Sequence, residues 1–481
     1  MNTPLRRLSV AIMLLFALLL LNANYLQVVR AKALHNDSHN PRLIAEEYSR
    51  ERGPILVGPK PVARSVATDD RLKYLRQYAD GPLYAPATGF YSLVYGASGM
   101  EQEANSILAG TDDSLFVRRI VDLLTGVQPK GGSVALTLNA AAQKVAYDDL
   151  RGRRGAVVAL DPSTGAILAM VSSPSYDPNL ISGHDPAKVR ANYARLSNKA
   201  SRPMLDRALR QTYPPGSTFK LVTAAAALES GRYTPDSHVD NSPLLDLPQT
   251  TADLPNENGG PCTSGTATLT VALENSCNVA FGKLGLELGD DALRAQAQKF
   301  GFDRAFEVPI RSVASHFPED PNLPQTAQSA IGQFDVRATP LQMAMVVAAI
   351  ANRGVLMAPY LQEEVRGPDL SIIETTKPRA LGASVSPQTA ADLTGMMVKV
   401  VEQGTGTNGQ IPGVSVAGKT GTAQTGSGRS PHAWFVSFAP ANDPKVAVAV
   451  IVENGGGAAE ISGNQVAGPI ANDVMRAVLP K

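Results

Sequence analysis

Apolar and polar positions along this chain fall into three patterns. Leu8 to Leu21 is an almost unbroken apolar run. Short, dense apolar runs separated by turn residues occur near 155–171 and again over 414–452. Between them, apolar residues recur at helical spacing. Gly155–Leu160 and Ala166–Val171 flank Asp161-Pro162-Ser163-Thr164-Gly165, which predicts a hairpin of two largely buried strands. Val414–Thr422, His432–Phe438 and Val446–Val452 predict three more strands. Val134–Leu138 reads as a strand too, and Asn139 can then cap a helix reaching Leu150. The helical pattern covers Ser217–Glu229, Thr270–Leu288, Asp291–Phe300, Pro340–Asn352, Ala390–Gln403 and a closing Ala471–Leu479. Strands at both ends of a region with helices between them predict an α+β unit, one antiparallel sheet covered by helices.

The apolar run near the N-terminus follows Arg6 and Arg7 and weakens at Asn22, Asn24 and Gln27. About 20 apolar residues span a bilayer, so the segment is near the lower limit. Two readings are open. One is a signal-anchor whose basic end stays in the cytoplasm. The other is a cleaved signal peptide ending at Ala31-Lys32-Ala33. The anchor is favoured, because cleavage there puts a lysine inside the site and a long gap after the apolar core. Both export residues 34–481. The expected organisation is a cytoplasmic tail (1–8), a transmembrane signal-anchor (9–29), a non-catalytic stalk and small mixed domain (30–130) and a larger unit (131–481). The stalk reading rests on polar, Pro/Arg-rich 30–60, and Gly131-Gly132 marks the boundary.

Hydrophobic content of 44% and charged content of 18% suit a sizeable core, and a net charge of +1 gives no electrostatic case for nucleic acid. The six histidines are scattered without metal-ligand spacing, so no metal is expected. Two cysteines, Cys262 and Cys277, are present. In an exported chain they can pair, closing a short loop worth about 3 kcal/mol; two reduced thiols are the alternative.

Three short patches carry the chemistry. The first is Pro215-Gly216-Ser217-Thr218-Phe219-Lys220. Pro-Pro-Gly breaks regular structure before Ser217, and the helix behind it is apolar nearly all round, as a buried helix must be. Ser217 then sits at a helix start, where free N–H groups favour anions. Lys220 lies one turn later on the same face. A desolvated lysine amine can take the proton of a serine hydroxyl. Ser-x-x-Lys alone is a weak pattern, and a capping serine beside a solvated lysine is the bland reading.

The second patch is Ser276-Cys277-Asn278. Ser-x-Asn also occurs at Ser38-His39-Asn40 and Ser462-Gly463-Asn464, but only the middle copy lies between the other motifs. Ser276 would relay a proton between Lys220 or Lys419 and a leaving amine. Asn278 would hold substrate backbone and keep Lys220 in place. The third patch is Lys419-Thr420-Gly421-Thr422 on a predicted strand, which can pair with an extended peptide. Lys419 with the hydroxyls of Thr420 and Thr422 suits a terminal carboxylate, and Gly421 permits close approach. The N–H groups of Ser217 and Thr422 would form an oxyanion hole. Gly413–Thr420 also matches the phosphate-loop pattern G-x-x-x-x-G-K-[ST]. That pattern needs a helix after it, and Gly421–Ser430 will not start one.

Taken together, Ser-x-x-Lys, Ser-x-Asn and Lys-Thr-Gly in this order resemble the set found in class B penicillin-binding proteins, monofunctional transpeptidases. The chain is most similar to the actinobacterial cell-division and shape type. Gly155–Asn179, Tyr213–Lys220, Ile331-Gly332-Gln333 with Thr339-Pro340-Leu341, His432-Ala433-Trp434-Phe435 and the stalk residues Arg52-Gly53-Pro54-Ile55 all fit the resemblance. It implies a penicillin-binding, β-lactamase-like α+β fold with the nucleophile helix at its centre. It implies that Ser217 attacks the penultimate D-Ala carbonyl of a peptidoglycan stem peptide, releases D-Ala, and is resolved by a neighbouring stem's amine. β-Lactams, which mimic D-Ala-D-Ala, would acylate Ser217. No cofactor is implied. Implied partners are glycan-polymerising membrane proteins and division proteins.

Rival readings are a D,D-carboxypeptidase, which uses water as acceptor, and a secreted β-lactamase. The chain has no Glu-x-x-Leu-Asn setting for a deacylating base. A β-lactam sensor would need cytoplasmic machinery that about seven residues before the anchor do not provide. Residues 30–130 are too few for a glycosyltransferase domain.

Overall fold

The computed structural model describes residues 2–29, 47–115, 124, 128, 130–424, 430–457 and 462–480. Of the stalk expected over 30–60, residues 30–46, with Ala31-Lys32-Ala33 and Ser38-His39-Asn40, lie outside the described residues.

Five strands form the antiparallel sheet that the apolar runs predict. Their order across the sheet is Ala417–Ala423, His432–Ala439, Val446–Val452, Gly155–Leu160 and Ile167–Ser173. The chain's last strand thus meets the 155–173 hairpin through Val450 opposite Val157. Side chains alternate between faces along each strand. Ala156, Val158, Val436, Phe438 and Ile451 enter the core on one side. Val157, Ala159, Phe435, Val448 and Val450 enter a second core on the other. Both faces are therefore buried, and the strands read as continuous apolar runs rather than as alternation with polar residues. The second face is covered by Ala140–Asp149 and the closing helix Gly468–Val478. The Asn139 side chain caps the former as expected, accepting from the N–H groups of Ala141 and Ala142. The first face carries the helical layer, including Lys220–Glu229 and Pro340–Ala351.

A second, six-stranded sheet lies toward the N-terminus. Its order is Ile372–Thr375, Gln362–Arg366, Ser133–Leu136, Ile55–Val57, Lys60–Ala67 and Tyr74–Tyr78. Ile55–Val57 runs parallel to Ser133–Leu136, and the other pairs are antiparallel. The sheet therefore draws strands from both sides of position 130. A buried ionic cluster braces this region. Glu101 accepts from Arg52 Nε at 2.7 Å and from Arg76 Nε at 2.6 Å. Burial pushes its carboxyl up, but the two guanidiniums outweigh that and hold it below the usual carboxylate range. Arg52, read from the sequence as part of a stalk motif, is thus a clasp within the fold.

One helix, Asn2–Asn24, is exposed along its length. Thr3–Gln27 contains an 18-residue stretch of mean hydropathy 2.0 and is long and apolar enough to cross a membrane.

Several element boundaries differ from expectation, among them the helix starts at Pro387 and Gly468, each three residues early. Thr270–Leu288 is two helices, Leu269–Glu274 and Asn278–Leu288, because Ser276 takes a left-handed φ of 59°. The nucleophile segment opens with a 3-10 turn, Gly216–Phe219, before the α-helix begins at Lys220. The clamp strand begins at Ala417 rather than Val414, since Val414 closes a turn by donating to the Ile411 carbonyl.

Candidate active site

Ser217 stands in the 3-10 turn at the head of a helix in which every residue from Lys220 to Leu228 is buried. Alanines fill much of that helix and let neighbours pack close on all sides. Trp434, fully buried, fastens the approach to the turn by donating from Nε1 to the Pro214 carbonyl at 3.0 Å. Thr218 Oγ1 closes the turn onto the Pro215 carbonyl at 2.7 Å. Gly332 has φ of 74°, and a Cβ there would lie 2.1 Å from the Gly216 carbonyl oxygen. Only glycine permits that approach. Gly421 has a similar reason: a Cβ would lie 2.9 Å from Thr218 Cγ2 and 3.1 Å from the Pro215 oxygen. The glycine of the Lys-Thr-Gly patch is thus required by the nucleophile turn packing against the strand, a cause other than the substrate approach expected from sequence.

The three patches converge. Lys220 Nζ donates to the Ser276 carbonyl at 2.7 Å and to Asn278 Oδ1 at 2.8 Å, with Ser276 Oγ at 3.3 Å. Lys419 Nζ donates to Ser276 Oγ at 2.9 Å and to the Thr420 carbonyl at 3.0 Å. Ser276 can serve both lysines because its left-handed backbone breaks the helix and frees its carbonyl. Such a conformation costs on the order of 1–3 kcal/mol in a non-glycine residue. Among the described residues, Ser217 Oγ makes no hydrogen bond to Lys220.

Neither lysine has a carboxylate within ion-pair distance among the described residues. Burial drives the Lys220 amine well below the ordinary lysine range, and the neighbouring Lys419 adds to the shift. Burial brings Lys419 down to about 7, against a counteracting pull from Glu257.

A cleft of about 450 Å³ opens over this cluster. Ser217, Asn278 and Thr422 line one side, Gln328, Ile331 and Phe334 another. Asn256 and Glu257 complete it. Asn256 Oδ1 accepts from the Val279 N–H at 3.1 Å, and Asn278 Nδ2 donates to the Pro255 carbonyl at 3.1 Å. These hold the 253–257 segment against the second patch. The sequence reading missed Asn256 and Glu257; the turn-rich Asn256–Gly260 was the available signal. Cys262 and Cys277 are joined, with Cα atoms 5.5 Å apart, tying the same segment to the motif from the other end. Thr420 Oγ1 lies 2.8 Å from Thr405 Oγ1. The Ser462 copy of Ser-x-Asn is not part of the cleft: Ser462 Oγ caps a helical turn by accepting from the Gln465 N–H. Lys419 is buried in an edge strand, and residues 425–429 lie outside the described residues. No group of three or more His, Cys, Asp and Glu residues suited to a metal ion occurs among the described residues.

Comparison with known proteins follows this geometry. Residues 155–476 match the family described as penicillin-binding protein transpeptidase domain, and residues 52–134 match the penicillin-binding protein A dimerisation domain. The chain is 47% identical over its whole length to the peptidoglycan D,D-transpeptidase PbpA of Mycolicibacterium smegmatis, covering 99% of that protein. It is 46% identical, again over 100% of the chain and 99% of the relative, to PbpA of Mycobacterium tuberculosis. The solved structure of M. tuberculosis penicillin-binding protein A as a ceftriaxone acyl-enzyme superposes with a TM-score of 0.88 at 45% identity, covering 91% of this chain and 100% of that one.

Proposed function

The chain belongs to the penicillin-binding protein transpeptidase family, and on that premise we propose that Ser217 is the nucleophile of a peptidoglycan D,D-transpeptidase acylated also by β-lactams. One observation supports the assignment above the others. A neutral lysine amine has two N–H donors and one lone pair. The short bonds from Lys220 to the Ser276 carbonyl and Asn278 Oδ1 occupy both donors. The lone pair is left to take a proton, and burial lowers the amine's pKa in favour of that neutral form.

In acylation, Ser217 Oγ attacks the penultimate D-Ala carbonyl and its proton passes to Lys220. The N–H groups of Ser217 and Thr422 stabilise the oxyanion. Lys220, now an ammonium, has a third N–H for Ser276 Oγ, 3.3 Å away. Ser276 gives its own hydroxyl proton to the departing D-Ala amine and is reprotonated from Lys220. The C–N bond breaks, and the acyl-enzyme ester remains. An amine of a second stem peptide attacks this ester. Its proton returns along the same relay to Ser217, and a cross-linking amide forms. Asn278 binds donor backbone. Lys419, Thr420 and Thr422 hold the terminal carboxylate, and Gly421 keeps their strand against the nucleophile turn.

The helix at residues 2–24 anchors the protein, with the catalytic unit outside the cytoplasm. A glycan-polymerising membrane protein and division proteins are the expected neighbours, met through the anchor and N-terminal region. Labelling with a reporter penicillin, followed by peptide mapping, tests the nucleophile. A stable adduct on Ser217, absent in Ser217→Ala, is expected. An adduct elsewhere, or one that decays within seconds, would overturn the reading.

A further inference from the structure

A second cavity, of about 550 Å³, adjoins the catalytic cleft. Gln333, Phe334 and Gln424 line both. Phe334 holds a left-handed φ of 57°, rare for a bulky aromatic, and stands 40% exposed at this seam. The cavity is strongly basic. Arg154, Arg202, Arg207 and Arg337 line it against one carboxylate, Glu453.

Glu453 is already fully engaged. It accepts from buried Arg207 at 2.8 Å, from Arg154 at 3.0 Å and from the Tyr213 hydroxyl at 2.9 Å. Arg207 also donates from Nη1 to the Arg202 carbonyl and from Nη2 to the Ser201 carbonyl. The Arg202 side chain makes no hydrogen bond or ion pair among the described residues. Among the described residues, Arg337 has only a loose contact, 3.6 Å, to half-exposed Asp335 outside the lining. His432 adds no cation: its Nδ1 accepts from the Asn454 N–H at 3.0 Å, and burial holds it below the ordinary histidine range. Among the described residues, the Arg202 and Arg337 guanidiniums of this cavity thus lack a close acceptor, the arrangement suited to carboxylates.

Direction follows from the clamp strand. If Lys419 and Thr420 hold the donor's terminal carboxylate and Thr422 faces the scissile carbonyl, the donor runs antiparallel to the strand. Its upstream residues then leave the cleft past Gln424, at the mouth of the basic cavity. We infer that this cavity is a subsite for a carboxylate carried by the donor peptide upstream of its D-Ala-D-Ala end. The inference rests on the reading of the cleft given above.

The test compares two synthetic peptides ending in D-Ala-D-Ala that differ only in an upstream free carboxylate or its carboxamide. D-Ala release is measured with the full chain and without an acceptor peptide, so that only donor binding is read. The carboxylate peptide should show about tenfold higher kcat/KM, the scale of a charge-assisted contact, and the preference should shrink with salt. Arg202→Gln and Arg337→Gln should each reduce that preference several-fold, and Arg337→Lys should restore part of it. No preference in the unaltered protein, equal losses on both peptides, or an effect confined to deacylation by an acceptor would overturn the inference. Benzylpenicillin, which lacks the upstream peptide, separates the two claims: failure to acylate Ser217 would sink the reading of the cleft itself.

Discussion

Lys220 and Lys419 converge on one hydroxyl, reaching Ser276 Oγ at 3.3 and 2.9 Å. Without a bound substrate carboxylate, two buried ammonium groups sharing one hydroxyl oppose each other's charge, so their titrations are coupled. Their tasks are opposite. Lys220 acts as a base only when neutral, whereas Lys419 holds a carboxylate best as a cation. The kcat/KM for peptide should therefore fall on the acid side as Lys220 gains a proton. It should fall again above about pH 7 as Lys419 loses one. Lys419→Arg, which stays charged, should remove the alkaline limb if the variant retains activity. A limb that persists in an active variant would argue against this division of labour, and a pH–rate profile decides it.

The same burial has a cost in stability. A lysine whose folded pKa lies below its unfolded value destabilises the fold as pH drops. The penalty is complete below about pH 7 for Lys419 and absent near pH 10. Lys419→Met should therefore melt at a higher temperature, by roughly 1–4 kcal/mol of stabilisation at pH 6, while losing peptide turnover. The gain should vanish at pH 10, which calorimetry at the two pH values would show.

Gly332→Ala should be damaging in two ways. Its φ of 74° disfavours alanine, and the methyl would sit 2.1 Å from the Gly216 oxygen. A loss of about 2–4 kcal/mol is expected from strain and overpacking. Because Gly216 precedes the nucleophile, penicillin acylation should slow even where the variant is folded. Stopped-flow acylation checks this.

Glu101→Ala should strike the N-terminal unit. It strands Arg52 and Arg76, both buried, without their carboxylate. Removing one partner of such a cluster costs about 3–5 kcal/mol. Urea unfolding should show the loss, and Glu101→Gln, which keeps one acceptor, should lose less.

Legibility varied with the range of the interactions. The sheet strands were clear because Val446–Val452 and Gly155–Leu160 are apolar runs bounded by turn residues, a local signal. Ser217, Lys220 and Lys419 were found because their motif spacing is short. The break at Ser276 was hidden, since the apolar periodicity of 270–288 continues through it and only tertiary bonds from the lysines reward the left-handed residue. Asn256 and Glu257 enter the cleft from a loop whose position depends on Cys262 and Asn278. The role of Arg52 was invisible for the same reason: its partner Glu101 is 49 residues away.

The six-stranded sheet sets an order of events during synthesis. Its first three strands are complete at Tyr78, but the strand flanking Ser133–Leu136 begins only at Gln362. At about 5–20 residues per second, the ribosome needs roughly a quarter of a minute to a minute to cover that interval. For most of that time the Ser133–Leu136 edge, once made, offers unpaired N–H and C=O groups to any passing strand. The first part to emerge is the last to be sealed, so nascent chains stalled or clipped before residue 366 should be the species that holdase chaperones capture.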